Sequence, residues 1–90
     1  MPSAVYEISY QRSVAKDLRG LPVATRQVIV KKILALAADP YPTGSIKLRG
    51  SANLFRLRHS DYRIIYRVEN AKLTVLIIKV GHRGEVYRVL

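Results

Sequence analysis

Cysteine and tryptophan are absent from these 90 residues, methionine and phenylalanine occur once each, and acidic residues number only six. Without cysteine there is no disulfide framework and no thiolate chemistry. The two histidines, His59 and His82, lie at metal-ligand spacing neither with each other nor with a carboxylate, so no metal site and no cofactor are expected. The scarce acids supply no paired acid and base, because Asp61 falls in a turn and Glu85 stands alone near the C-terminus; glycosidase-type and aspartyl chemistry are set aside. A glycine-rich phosphate loop is missing too, since Gly81-His-Arg-Gly84 has few glycines and no following Lys-Ser or Lys-Thr. No apolar run reaches the roughly 18 residues of a membrane span, and no helical segment joins a basic face to a large exposed apolar one. The chain does not open with a charged stretch followed by an apolar segment. The expectation is a cytoplasmic protein with no membrane partner.

What the chain has in excess is positive charge. Sixteen Lys and Arg against six Asp and Glu give a formal net charge of +10. Such an imbalance points to a polyanion or an acidic protein as partner. Ten of the sixteen cations are arginine, whose planar fork pairs bidentately with phosphate. With 49% hydrophobic residues the chain is expected to form one domain over residues 1–90.

The hydrophobic period changes along the chain. Residues 4–9 read as a short strand, and 10–19 switch to helical spacing, with Val14 and Leu18 at i and i+4 and Gly20 where a left-handed cap would fall. A second helix runs from Pro22 to about Ala38, its apolar stripe made by Ile29, Val30, Ile33, Leu36 and Ala37. The Pro- and Gly-rich segment 39–45 ends it. From there the period is two: strands are expected over 54–58, 62–68 and 73–80, with turns at 50–53, 59–61 and 69–72. The fold class is therefore α+β. An N-terminal strand and helical hairpin pack on a mainly antiparallel twisted sheet of about four strands, followed by a short C-terminal helix.

Parity along the strands sorts the charges. Residues of equal parity project from one side of a sheet, so Arg56 and Arg58 share a side, as do Arg63 and Arg67 on the next strand. If the two pairs meet on one face, they form a dense cationic patch. Lys79 would join it, sharing parity with Arg83 should the last strand stay extended. Like charges at this spacing repel by a few tenths to about one kcal/mol per close pair, which an anion would relieve. The plainer reading is a solvated face kept charged against edge aggregation. Histidine is the side chain suited to general-base work near neutral pH, so His59 and His82 are candidate bases, though a histidine on a basic surface is more often simply solvated. A phenol among arginines gives up its proton more readily than a free one, so Tyr87 is a candidate base for a ribose 2′-hydroxyl. Its alternative role is an aromatic plug for a C-terminal helix.

The segments Lys16-Asp-Leu-Arg-Gly-Leu21, Lys47-Leu-Arg-Gly50, Asp61-Tyr-Arg-Ile-Ile-Tyr66 and Gly81-His-Arg-Gly-Glu-Val-Tyr-Arg88 are individually weak signals. In this order and spacing, over nearly the whole chain, they resemble the RelE/ParE superfamily of type II toxin–antitoxin toxins, on its RelE-like side. The resemblance implies a RelE-like fold and a metal-independent endoribonuclease (mRNA interferase) that cleaves mRNA in the ribosomal A site and inhibits translation. It further implies a cognate antitoxin, in a toxin–antitoxin heterotetramer. The family's catalytic positions fall on Arg63, Arg83, Tyr87 and, on the preceding strand, Arg56. A second basic position of that strand is Leu54 here, with Arg58 nearby to supply the charge, and a family lysine beside the last arginine is His82. Arg58, His82, Lys47, Arg49, Arg67 and Lys79 make up the expected RNA-contacting set. Two other classes stand beside this one: a ParE-like toxin that poisons DNA gyrase without cleaving anything, and a plain nucleic-acid-binding module.

Overall fold

The structure, a computed structural model, describes residues 5–86. Strand β1 (Glu7–Tyr10) leads into helices α1 (Val14–Arg19) and α2 (Val23–Ala35), then strands β2 (Ile46–Lys47), β3 (Leu54–His59), β4 (Tyr62–Glu69) and β5 (Thr74–His82), and helix α3 (Arg83–Val86). The five strands form one sheet in the order β1-β5-β4-β3-β2. β2 through β5 pair antiparallel with their chain neighbours, while β1 pairs parallel with β5, Glu7 opposite Thr74 and Tyr10 opposite Ile77. The expected α+β architecture is present. The two-residue β2 adds a fifth strand that its length kept out of the sequence pattern.

The core lies between the helical hairpin and one face of the sheet. Ile29, Ile33 and Leu36 of the α2 stripe are fully buried, with Val30 and Ala37 half-buried beside them. They meet Leu57 from β3, Ile64, Tyr66 and Val68 from β4, and Val75, Ile77 and Val80 from β5. Full burial stabilises each such aliphatic side chain by about 1.5–3 kcal/mol, so α2 is held chiefly by this stripe. The lone phenylalanine, Phe55, stacks on Tyr66 with ring centroids 5.8 Å apart and meets the edge of Tyr41 at 5.1 Å. Burial pushes the Tyr66 phenol up to about 12, and its hydroxyl donates to the Pro40 carbonyl at 2.8 Å.

Several local expectations are corrected. α1 begins at Val14 rather than Tyr10, because Tyr10 is held in the β1–β5 ladder and the Gln11 amide donates to the Ile77 carbonyl at 2.9 Å. Gly20 closes α1 in the right-handed region at φ −78°, its amide shared between the Lys16 and Asp17 carbonyls. α2 stops at Ala35, and the next residues tighten to i→i−3 bonds from Leu36, Ala37 and Ala38. Leu73 is outside β5: it caps the 3₁₀ turn Asn70–Lys72 at φ +48°. At the other end β5 runs on to His82, and Arg83 starts α3 instead of prolonging the strand.

Candidate nucleic-acid interface

The β3–β4 register decides which cations meet. Arg58 lies opposite Arg63, Arg56 opposite Ile65 and Leu54 opposite Arg67. Directly opposed residues project from the same side of a sheet, so Arg56, Arg58, Arg63 and Arg67 share one face. The helical hairpin covers the other face through Leu57, Ile64 and Tyr66. The expected four-arginine face is thus formed, with Arg58 and Arg63 as immediate neighbours. Its apolar centre is Ile65, which is fully buried.

Helix α3 lies on this same face. Gly81 is opposite Arg63, and a Cβ built on Gly81 would stand 3.2 Å from Cγ1 of Val86, itself fully buried. Glycine at 81 is what lets α3 settle this closely on the strand carrying it.

Arg63 is the most constrained of the set, only 9% exposed. Its Nη1 donates to the Ser60 and Tyr62 carbonyls, both at 3.1 Å, while its Nε is buried with no hydrogen-bond partner among the described residues. These carbonyls belong to the β3–β4 hairpin, whose two-residue loop Ser60-Asp61 puts Ser60 at φ +54°. The Asp61 carbonyl accepts the Arg83 amide at 2.8 Å. One turn therefore anchors the side chain of Arg63 and the backbone of Arg83 at the same end of the sheet. The sequence signalled the turn but not this use of its carbonyls.

The other expected residues are spread more widely. Arg56 and Arg67 are half-buried, and Arg58 and Arg83 are exposed. Lys47 is opposite Phe55 on edge strand β2, hence on the side away from the four arginines, and Arg49 is exposed in the turn after β2. His82 is opposite Tyr62, with ring centroids 5.8 Å apart in an edge-to-face pair, again on the side away from Arg63. His59 is the other cross-strand neighbour of Tyr62. Lys79 does not stand as a free cation: its Nζ is 3.0 Å from Oδ1 of Asp17 in α1. A groove of about 720 Å³ opens here, lined by Lys16, Asp17, Tyr62, Lys79, His82 and Glu85 among others. Tyr87 lies outside the described residues. No three His, Cys, Asp or Glu side chains gather among the described residues in a way that could hold a metal ion.

Chemically, this face offers guanidinium groups at strand spacing around a buried, oriented arginine. That arrangement suits a phosphodiester whose charge grows during reaction.

The family model for the ParE toxin of the type II toxin–antitoxin system parDE matches residues 8–87. The chain is 33% identical over 86 residues to the mRNA interferase toxin RelE of Escherichia coli, covering 91% of this chain and 90% of that one. It is 30% identical over 84 residues to Toxin RelG of Mycobacterium tuberculosis, covering 92% and 97%. Among solved structures it is similar to a chain of the archaeal RelE–RelB complex from Pyrococcus horikoshii, with a TM-score of 0.79, 31% identity and coverage of 91% and 99%.

Proposed function

The chain belongs to the RelE/ParE superfamily of type II toxin–antitoxin toxins, and from that membership we propose that it is a metal-independent endoribonuclease that cleaves mRNA in the ribosomal A site. The observation that carries the reading is the common face of Arg56, Arg58, Arg63 and Arg67, with Arg83 tied to the same end of the sheet through Asp61. A relative named an mRNA interferase supports the reaction class.

In this mechanism the ribose 2′-oxygen attacks the adjacent phosphorus, the bond to the 5′-oxygen breaks, and the products carry a 2′,3′-cyclic phosphate and a 5′-hydroxyl. No water enters the step. Arg63 and Arg83 stabilise the negative charge that builds on the phosphorane oxygens, each well-aimed donor contributing about 3–4 kcal/mol. The hairpin carbonyls that hold Arg63 keep its guanidinium oriented before substrate arrives, so little reorganisation is left for the reaction itself. Arg56 and Arg58 fix the RNA backbone or protonate the leaving oxygen, and Arg58, directly opposite Arg63, supplies the charge that Leu54 does not. Tyr87 takes the 2′-hydroxyl proton or stacks on a base; His82, the other base expected from the sequence, is opposite Tyr62 on the side of the sheet away from Arg63 and is not assigned that role. Arg67 and Arg49 are assigned to the outer RNA contacts; Lys47, on the other side of the sheet, and Lys79, paired with Asp17, are not.

The partner that restrains this activity is a cognate antitoxin in a heterotetramer, a reading supported by the RelE–RelB complex to which the chain is similar. The ParE family model favours a second reading, a gyrase poison that cleaves nothing. Both are tested by adding the protein to a translating extract and mapping mRNA ends by primer extension. Cuts at ribosome-occupied codons that fall at least a hundredfold in Arg83→Ala are expected. Intact mRNA together with inhibited gyrase supercoiling would replace the nuclease by the second reading.

A further inference from the structure

The β1–β5 ladder ends at Tyr10 opposite Ile77, which leaves β5 from Ile78 to His82 without a strand on its outer edge. The β4–β5 register also shifts here: Ile65 faces Lys79 while the next residue, Tyr66, faces Ile77, so Ile78 is an extra, bulged residue. A bulged, one-sided strand end is a poor mount for an arginine that must hold its place to within a fraction of an ångström. Yet Arg83 follows it directly.

Asp17 fills the missing edge. Its Oδ2 accepts the Val80 amide at 3.2 Å, as a neighbouring strand's carbonyl would, and its Oδ1 holds the Lys79 ammonium at 3.0 Å. Its side chain is 13% exposed and that of Lys79 21%, so water screens the pair little. Asp17 is the one acid of α1, flanked by Lys16 and Arg19. The Asp61 carbonyl grips Arg83 from the opposite edge, and the end of β5 is thereby held on both sides.

From this geometry we infer that Asp17 is a positioning residue for the cleavage reaction, clamping Lys79 and Val80 so that the end of β5 delivers Arg83 in its working place. The inference rests on the proposed nuclease activity. It also reassigns Lys79 from an RNA-binding cation to the cationic half of the clamp, which makes the two readings separable by kinetics. Removing a cation that grips RNA at the surface raises KM and lowers the salt dependence of binding. Removing a clamp behind Arg83 lowers kcat and leaves both unchanged.

The test uses full-length Asp17→Asn, which keeps an acceptor for the Val80 amide but removes the ion pair, together with Lys79→Met and the double variant. Each is confirmed folded by its thermal transition. With ribosome-bound mRNA the expected result is a roughly tenfold fall in kcat at unchanged KM for each single variant, and no further fall in the double variant. Amide exchange of Val80 to Arg83 is expected to quicken about tenfold in Asp17→Asn, with Ile64 to Val68 unaffected. A raised KM with unchanged kcat in Lys79→Met, or additive losses, would overturn the clamp. Where the wild-type protein cuts no mRNA, the nuclease reading fails, and the exchange measurement still decides the clamp: unaltered exchange at Val80 to Arg83 removes it.

Discussion

Arg63 sits where its own energetics are poor. It is nine-tenths buried, directly opposite another arginine, with a buried Nε that finds no hydrogen-bond partner among the described residues. A buried donor without a partner costs about 1–3 kcal/mol, and an opposed like charge adds several tenths more. Sites that bind and strain a substrate commonly carry such costs, and their relief shows as a gain in stability with a loss of function. Arg63→Met retains the aliphatic stem and removes both penalties. It is expected to unfold in urea at least as late as the wild type, with a gain of about 1 kcal/mol, and to cut ribosome-bound mRNA 10²–10³-fold more slowly. A destabilised Arg63→Met would mean that the bonds to the Ser60 and Tyr62 carbonyls hold the fold rather than the guanidinium.

At the scale of elements, the β3–β4 hairpin both sets the register of the arginine face and supplies the carbonyls behind it. Its loop residue Ser60 is left-handed at φ +54°, a conformation that costs a side-chain-bearing residue about 1 kcal/mol and glycine nothing. Ser60→Gly is expected to raise stability by about 0.5–1 kcal/mol, several degrees in Tm for a domain of this size, read by calorimetry. A lowered Tm would show that the hydroxyl, not the backbone, matters there. The elements also mark what could be read in advance. The α2 stripe through Ile29, Ile33 and Leu36 and the parity of Arg56, Arg58, Arg63 and Arg67 were legible because helix and strand periods are local properties of the chain. The start of α1, the parallel partner of β1 and the bulge at Ile78 were not, since each is set by residues far away along the chain. Lys79 illustrates the limit at the site: parity counted it towards the cationic patch, and only the fold brings Asp17 to its ammonium. Tyr62 meets His82 in the same way, through strand pairing that no local pattern announces.

For the molecule as a whole, one buried phenol links the core to pH. Desolvation raises Tyr66 to about 12, against about 10 in the unfolded chain. Its neutral form is therefore favoured by folding, the contribution is complete below pH 10, and it is lost as pH climbs from 10 to 12. The integrated loss is roughly 3 kcal/mol. Tyr66→Phe should lower stability by about 1 kcal/mol at neutral pH, through the missing bond to the Pro40 carbonyl, while flattening the alkaline limb of urea midpoint against pH. An equally steep limb in Tyr66→Phe would assign the alkaline transition to other groups. The strand order carries a consequence for synthesis. β1 is made well before its partner β5, Glu7 pairing with Thr74, so this edge of the sheet cannot close until the residues between them have been translated and the entropy of that long intervening loop has been overcome. Under the proposed function, a toxin directed at translating ribosomes thus stays unfinished while β5 is still to be made, because Arg83 and the strand that carries it join the arginine face last.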